Sequence, residues 1–263
     1  DCVTDITITS LVYIEKLNIN WDSNYYWRVR PVFLDLDFGN WMANYSFQTG
    51  NKLGTAYSNE YNNNSTQEGV TAFGSFFDFY SAVIDASGNE IWNSGNSDFV
   101  FYSSNNWGQI FGSLNRPELE NNLPGVELNY SNEILWQEPN DYFLHHEFTQ
   151  LPNGNYMGIV ETSQIGPIPF DGCFCSWTPL FQGIGYVADG VTPEFNWVGD
   201  RIVEWDADTR EEVWSWSVFD HYNIADFDII GGTWLEAYSA QRYDWTHVNA
   251  FVFNESENAI YLS

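Results

Sequence analysis

The fold is decided by the stretch Ala82-Val83-Ile84-Asp85-Ala86-Ser87-Gly88-Asn89-Glu90-Ile91-Trp92, in which apolar residues lead through a polar turn to Glu, an aliphatic residue and Trp. The same order of residue types returns at 127–136, at an offset of 44 residues, and a third copy at 201–214 has a turn that is one residue longer. Each copy predicts two short antiparallel strands joined by a turn of Asp, Asn, Ser or Gly. A period of this length suits a four-stranded blade.

A second kind of hairpin alternates with the first. Residues 146–160 run from apolar residues through the turn Pro152-Asn153-Gly154-Asn155 to a second apolar run, and residues 247–262 repeat this order around a turn at 254–258. We assign this second kind to inner strands and the first kind to outer strands. The chain is therefore predicted to be all-β, a β-propeller of four-stranded antiparallel blades. We expect three or four blades and the opening hairpin of another, so that the ring is incomplete until a further C-terminal segment or a partner subunit completes it.

The third outer hairpin arrives later than one period allows. The excess lies at about 163–200, a stretch that contains four prolines and two of the cysteines. We expect it to be a long loop inserted between the inner and outer strands of one blade, reaching across a propeller face. Residues 1–50 are aromatic and strand-like without a clear repeat, so they form a first blade or a small leading sheet. Residues 51–263 then form the incomplete propeller.

Composition narrows the class of protein and its partners. Aromatic residues make up 19% of the chain, which favours β-structure. Lys+Arg 8 against Asp+Glu 36 gives a formal net charge of -28, and this charge repels phosphate backbones and anionic lipid surfaces. We expect no nucleic-acid partner and, because no apolar run approaches about 18 residues, no membrane span. The acidity and the opening Asp1-Cys2 are typical of a mature secreted protein.

Cysteines and sequons bear on the prediction of secretion. Cys173 and Cys175 lie too close in sequence for an easy mutual bridge, so a disulfide that includes Cys2 is favoured. The odd count of three leaves a free thiol or a bridge to another chain. Roughly four sequons are expected by chance on this composition, so the motif only permits glycosylation. The candidate glycosylation sites are Asn44, Asn63, Asn64, Asn129 and Asn254.

Only four histidines are available for chemistry, and three of them open inner hairpins. Innermost propeller strands start near the central channel, so His145 or His146 of one blade and His247 of the next are expected to face one axial pocket. There their rings would lie several Å apart, close enough to share one small ligand by hydrogen bonds. The other interpretation is that each histidine caps a strand by hydrogen bonding. His221 follows an outer hairpin and is expected to be a surface histidine on the rim.

Two acids flank these histidines, and a metal site is disfavoured. Glu147 and Asp244 can orient an imidazole, although a solvated surface carboxylate is the alternative for each. His145-His146-Glu147 is not the helical His-Glu-x-x-His pattern, and consecutive residues of a strand point to opposite faces, so a zinc site is not expected. The sequence has no phosphate-binding loop, nucleophile elbow or Cys/His protease signature, and we expect no cofactor.

Three motifs occur in the order that is found in one protein family. They are His145-His146-Glu147-Phe148-Thr149-Gln150-Leu151-Pro152-Asn153-Gly154-Asn155, the stretch 200–216, and Asp244-Trp245-Thr246-His247-Val248-Asn249. The last is the most specific, and over residues 80–263 the sequence resembles the arylsulfotransferase (arylsulfate sulfotransferase) family. The resemblance implies a six-bladed propeller that moves a sulfuryl group from one phenol to another through a sulfated histidine, without a nucleotide donor.

The same resemblance implies roles for individual residues. His247 corresponds to one histidine that supports the sulfuryl group, and His146 or His145 to the other. Sulfuryl transfer spreads charge onto equatorial oxygens, so cationic or donor side chains must surround them. The family's arginine would fall just beyond Ser263 and its nucleophilic histidine in a later blade, so we expect the chain to be inactive by itself. Arg242, near His247, is not at the family's arginine position.

Two hypotheses from different classes remain open. The first is a secreted sulfotransferase whose partner is a phenolic sulfate or another small anion. The second is a non-catalytic structural or binding glycoprotein of an extracellular or cell-surface assembly, which the acidity, the aromatic content and the sequons also fit. A sulfate bound in a closed pocket would favour the first hypothesis. An ordered open edge paired with another subunit would favour the second.

Overall fold

The computed structural model divides the chain into two compact units. One unit contains residues 1–71 and 83–95, and the other contains residues 72–82 and 96–263. The residues that the structure describes are 2–9, 13, 15, 18–34, 37–54, 69–105, 108–116, 123–140, 142–171, 177–227 and 233–263.

Short antiparallel strands begin the fold. In the first unit β1 (Asn24–Trp27) pairs along its whole length with β2 (Tyr45–Gln48). The rings of Trp27 and Tyr45 stack across this ladder with centroids 5.0 Å apart, and such cross-strand aromatic pairs stabilise a sheet. A three-stranded sheet follows, with β3 (Val70–Ser75), β4 (Tyr80–Asp85) and β5 (Glu90–Asn93) side by side in chain order.

The second unit contains a four-stranded sheet and a five-stranded sheet, and each includes four consecutive antiparallel strands. In both sheets these four strands lie side by side in chain order. The strands of the first are β6 (Phe99–Ser104), β7 (Ile110–Leu114), β8 (Gly125–Leu128) and β9 (Ile134–Gln137). Those of the second are β10 (Leu144–Gln150), β11 (Tyr156–Pro167), β12 (Pro193–Trp205) and β13 (Glu212–Ser217).

Short elements complete the second unit. The strand β14 (Tyr243–Asp244) pairs in parallel with β12, and β15 (Phe251–Asn254) and β16 (Ala259–Leu262) form a separate antiparallel hairpin. The helices are α1 (Thr178–Gly183), α2 (Val218–His221) and α3 (Thr233–Ala240). Within the described ranges, every helix is too short or too polar to cross a membrane.

The predicted hairpins are present, and the fold is mostly antiparallel β. The inner hairpin and the outer hairpin predicted for one blade, β10–β11 and β12–β13, lie side by side in a single sheet. The outer-type hairpin β8–β9 forms one side of the preceding sheet. The predicted hairpins were 82–95, 126–138, 146–160, 200–217 and 247–262, and strands lie side by side in each of them.

One turn chemistry explains why the sequence repeat forms hairpins. Asp85, Asn129 and Asp206 stand at the same place in their hairpins, and the side-chain Oδ1 of each accepts backbone N–H bonds from two residues that follow. These bonds close the turn locally. Hydrogen bonds lower the pKa of the Asp85 carboxyl, and the bond from the Asn89 side chain has the largest lowering effect. Hydrogen bonds also lower the pKa of the Asp206 carboxyl, where the bond from the Thr209 backbone has the largest effect.

The first half of β11 is buried on both faces of the sheet. Tyr156 and Val160 of β11 pack in one cluster with Trp136 of β9, where the rings of Trp136 and Tyr156 stack with centroids 4.0 Å apart. Met157 points to the opposite face and packs with Phe251 of β15. Successive residues of a strand face opposite sides, so the strands beneath the candidate site are packed from both sides.

The stretch 163–200, expected to be a loop, is strand at both ends. β11 continues to Pro167, β12 begins at Pro193, and the two strands pair along this extension. Prolines are tolerated at strand ends, where a missing N–H does not interrupt a ladder. Between these strands, the described residues 168–171 and 177–192 include α1.

An aromatic cluster joins α3 to this extension. Trp197 of β12 and Trp234 of α3 are buried, and their ring centroids lie 5.3 Å apart. Trp234 also stacks on Tyr243 of β14, with centroids 4.1 Å apart and planes within 11°. The strand β14, which leads into the candidate site, is therefore fixed by α3.

Candidate functional site

Two chain segments meet beside β12 and bring three histidines together. β10 carries His145 and His146, and residues 245–250, between β14 and β15, carry His247. The ring centroid of His247 lies 5.9 Å from that of His145 and 5.1 Å from that of His146. The expected proximity of His247 to these two histidines is confirmed.

Asp200 of β12 joins the two segments. Asp200 is only 2% exposed. Its Oδ1 lies 3.0 Å from Nε2 of His145. Its Oδ2 accepts hydrogen bonds from Oγ1 of Thr246 at 2.6 Å and from the backbone N–H of Val248 at 2.9 Å. Burial acts to raise the pKa of this carboxyl, but the hydrogen bonds outweigh it and the pKa lies below its ordinary value. Asp200 is therefore a buried carboxylate that fixes one histidine segment against the other.

An irregularity in β10 brings the neighbouring rings of His145 and His146 together. The ladder with β11 shifts register between Leu144 and Phe148, and His146 has a φ of 61°. The two ring centroids lie 5.0 Å apart. The expectation that consecutive strand residues separate these rings is therefore wrong, because strict alternation holds for regular strands and is broken at a bulge.

The rings of His146 and His247 meet through their Nε2 atoms, which lie 3.1 Å apart. Nδ1 of His247 lies 2.7 Å from Oδ2 of Asp244. His247 has a φ of 44°, so both histidines of the pair adopt the left-handed region that non-glycine residues rarely adopt. Backbones of this kind persist where the surroundings impose them, and they are concentrated at functional sites.

A second carboxylate and a guanidinium border the cluster. Glu161 stands opposite Asp200 in the ladder between β11 and β12, and its Oε1 lies 3.6 Å from Nη1 of Arg242. Burial raises the pKa of Glu161, although the nearby Arg242 and His145 act to lower it. With Asp244, the cluster combines three carboxylates and one guanidinium with the imidazoles. Its net charge therefore follows the protonation of the histidines.

The surroundings of the His146 imidazole disfavour its protonated form. Burial lowers the pKa of His146 below its ordinary value, and repulsion from His145 and His247 adds to this effect. His146 is therefore a neutral ring at neutral pH. An anion between the rings would favour the protonated form, so the cluster can hold an oxyanion more readily as the pH falls.

The two acids that were expected to orient an imidazole differ in what they contact. Asp244 contacts His247, whereas Glu147 has no hydrogen-bond or ion-pair partner among the residues described. Burial raises the pKa of Glu147 to about 7. Glu147 is therefore a protonated carboxyl through most of the acidic range.

Replacing Glu147 by glutamine is expected to stabilise the protein at alkaline pH. Between the ordinary value of 4.5 and the folded value of about 7, the folded state holds a proton that the unfolded state has released, so stability falls as the pH rises through this window. Glutamine removes this loss, and after allowance for partial exposure the gain at pH 8 is about 1 kcal/mol. Urea unfolding at pH 5 and pH 8 measures this gain in stability, with Glu255→Gln as an exposed control. An equal gain at both pH values would contradict the burial of Glu147.

The remaining histidine lies outside the cluster. His221 is exposed at the end of α2 and stacks on Trp216 with ring centroids 5.1 Å apart. In the part of the chain that the structure describes, no group of three or more His, Cys, Asp or Glu side chains is arranged to hold a metal ion.

Two of the sequon asparagines have a role in turns. Oδ1 of Asn129 accepts the backbone N–H of Ser131, and Oδ1 of Asn254 accepts that of Ser256, so turn chemistry by itself explains these Asn-x-Ser sequences. Asn44 is exposed outside a strand. The expectations for Asn63, Asn64, Cys173 and Cys175 lie outside the described residues, so the pairing of the exposed Cys2 stays a prediction.

Sequence reasoning did not find Asp200 as a member of the site. Aspartate is depleted in strands, yet Asp200 follows Trp197-Val198-Gly199 and precedes Ile202-Val203 in an apolar run. A single carboxylate inside such a run was the signal that could have pointed to a buried, partnered side chain.

The arrangement can present ring N–H groups to one small anion between two chain segments. The chain matches no protein-family model, no curated protein and no solved structure. The chemistry of the cluster therefore rests on the geometry of its own residues, above all on the Nε2 contact between His146 and His247.

Glycine at His145 and glycine at His146 are expected to differ in their effect on stability. His145→Gly removes the partner of the buried Asp200 and should cost about 3 kcal/mol. His146 has a left-handed backbone, which glycine adopts without strain. His146→Gly therefore gains about 1 kcal/mol of stability, and this gain offsets the loss of the side-chain contacts. Urea unfolding of the two variants measures the difference, and equal losses would contradict the bulged backbone of β10.

Proposed function

We propose that the chain is part of a secreted, arylsulfotransferase-like β-propeller whose histidine cluster holds the sulfuryl group of a phenolic sulfate or another small tetrahedral anion. The observation that carries this proposal is the contact of His146 with His247 at 3.1 Å, across 101 residues of sequence. These are residues that the resemblance to arylsulfotransferases assigns to the supporting histidines.

The two sets of four consecutive antiparallel strands, β6–β9 and β10–β13, support the propeller. Strand order follows chain order in both, and the sheet β10–β13 packs one face towards β7 and β9 and the other towards β15. Blades of a propeller repeat this order and pack face to face around an axis. We take the two sheets to be neighbouring blades and β15–β16 to be the inner hairpin of the next.

The chemistry of sulfuryl transfer explains the use of histidine pairs. In the overall reaction the aryl S–O bond of the donor breaks, an S–O bond to the acceptor phenol forms, and the acceptor's proton ends on the released phenolate. Charge on the equatorial oxygens grows during transfer, and N–H donors fixed beforehand stabilise it. His146 and His247 are held in unusual backbone conformations by Asp200 and the packed strands, which is the preorganisation that such donors need.

The proposal is tested by binding. Isothermal titration calorimetry at about pH 6 should detect both sulfate and 4-nitrophenyl sulfate, and the two should compete. His247→Ala removes one charge-assisted hydrogen bond of about 1.5–3 kcal/mol, so its affinity should fall by at least about tenfold. His221→Ala removes an exposed histidine outside the cluster and should bind as the wild type does.

No binding by the wild type, or equal binding by His247→Ala, would contradict the oxyanion site. Either result would favour the structural or binding glycoprotein instead. The exposed side chains of Val252 and Tyr261 favour that second function. They lie on the hairpin β15–β16 and are 64% and 57% exposed. Exposed apolar side chains that lie close together mark surfaces for partners.

A further inference from the structure

The contacts of His247 fix the positions of the protons in the histidine pair. The carboxylate of Asp244 can only accept, so Nδ1 of His247 carries the proton in their 2.7 Å hydrogen bond. A neutral His247 then has a lone pair at Nε2. Because Nε2 of His146 lies 3.1 Å from that atom, His146 carries its own proton at Nε2 and donates it. The hydrogen bonds run in one direction, from His146 to His247 to Asp244.

An anion cannot be held by both rings in this state. A tetrahedral anion between the rings needs an N–H donor from each, whereas the neutral pair has one Nε2–H and uses it internally. A proton added at Nε2 of His247 supplies the second donor. Two Nε2–H groups then face each other, so their mutual hydrogen bond is lost and both are free to donate to an anion.

We infer that this site binds a tetrahedral dianion together with one proton, which is taken up at Nε2 of His247, and that the hydrogen bond between His146 and His247 closes the site when no anion is present. The inference rests on the proposed function and adds the proton to the ligand that the site takes. Asp244 is a positioning residue: it holds Nδ1–H of His247 and stabilises the imidazolium that forms.

The surrounding charges make the proton necessary. Among the described residues, the titratable and charged groups around the pair are His145 of β10, Glu161 of β11, Asp200 of β12, Asp244 of β14 and Arg242, which precedes β14. With neutral histidines, three carboxylates face a single guanidinium. A dianion that entered without a proton would therefore meet a net negative surrounding.

Proton uptake can be measured directly. Sodium sulfate is titrated into the protein by calorimetry in two buffers of different ionisation enthalpy, since sulfate stays a dianion over the whole pH range used. We expect close to one proton taken up for each sulfate at pH 8, and this number should fall towards zero as the pH is lowered. Sulfate affinity should fall about tenfold for each pH unit over the range in which one proton is taken up with each sulfate.

Two variants separate the proton from the hydrogen bond. His247→Gln offers an amide N–H that needs no proton, so sulfate should bind more weakly than to the wild type at pH 6 but equally well at pH 6 and pH 8, without proton uptake. Asp244→Asn keeps the size of the side chain and removes the charge that stabilises the imidazolium, so proton uptake should move to lower pH. His221→Gln, outside the cluster, should behave as the wild type does.

The outcomes distinguish this inference from the proposed function. Sulfate binding by the wild type at pH 8 without proton uptake, or the same pH dependence in His247→Gln as in the wild type, would overturn the proton-coupled mechanism and leave the oxyanion site in place. No sulfate binding by the wild type at any pH would overturn the proposed function itself. If His247→Gln does not fold, the shift of proton uptake in Asp244→Asn decides, and an unchanged profile there would contradict the inference.

Discussion

Replacing Asp200 by alanine is expected to lower the free energy of unfolding by about 4 kcal/mol, because it removes a buried carboxylate that accepts from three partners. The carboxylate is almost fully buried and contacts His145, Thr246 Oγ1 and the backbone N–H of Val248. Alanine leaves three donors without this acceptor, and each unsatisfied buried donor costs about 1–3 kcal/mol. Because the same carboxylate joins β10 to the segment that carries His247, sulfate binding should be lost as well.

Urea unfolding measures this loss against a matched control. Asp208→Ala changes an exposed aspartate of the turn between β12 and β13 and should stay within about 0.5 kcal/mol of the wild type.

Asp200→Asn adds a pH test. The pKa of Asp200 is lowered, so its contribution is present above the unfolded value of about 3.9 and is lost as the pH falls through the folded value. The difference between Asp200→Asn and the wild type should therefore shrink in acid, and an Asp200→Ala variant as stable as the wild type would contradict the joining role.

Trp234→Ala is expected to cost about 4 kcal/mol, the usual loss for a large aromatic side chain removed from a core. Trp234 is fully buried, stacks on Tyr243 and packs beside Trp197. Its loss leaves a cavity beneath β14 and loosens the strand that ends at Asp244. Sulfate binding should therefore weaken together with stability.

Phenylalanine at the same position is the control for Trp234→Ala. Nε1 of Trp234 is buried and has no hydrogen-bond partner among the described residues, so its removal forfeits no hydrogen bond, and Trp234→Phe should stay within about 1.5 kcal/mol of the wild type. Thermal and urea unfolding of both variants test this. Equal losses for alanine and phenylalanine would show that the indole N–H has a partner or that the stack on Tyr243 is not formed.

The hairpins could be predicted from sequence because their chemistry is local. Asp85, Asn129 and Asp206 close their turns with bonds to residues that follow directly in the chain, so the repeat of residue types carries the structure with it. The extension of β11 and β12 could not be predicted in this way. Its prolines are typical of loops, and only burial of residues such as Trp197 against α3 turns the stretch into strand.

The histidine pair could be predicted because the repeat makes two hairpins equivalent. His146 and His247 open the predicted hairpins 146–160 and 247–262, and that equivalence was enough to expect them close together. The bulge at His146 breaks the regular alternation of side chains along β10, and no residue type in the sequence predicts it. Asp200 was missed for a different reason, since its three contacts come from segments that are distant in sequence and meet only after folding.

A sulfate titration followed by long-range proton–nitrogen spectra of the imidazoles tests the central claim most directly. The chain has only four histidines, so single variants assign every ring. If His146 and His247 hold one anion, their ring nitrogen signals should move along a single binding curve while the signals of His221 stay in place. Signals of His146 and His247 that do not respond to sulfate, or that respond no more than those of His221, would contradict the oxyanion site.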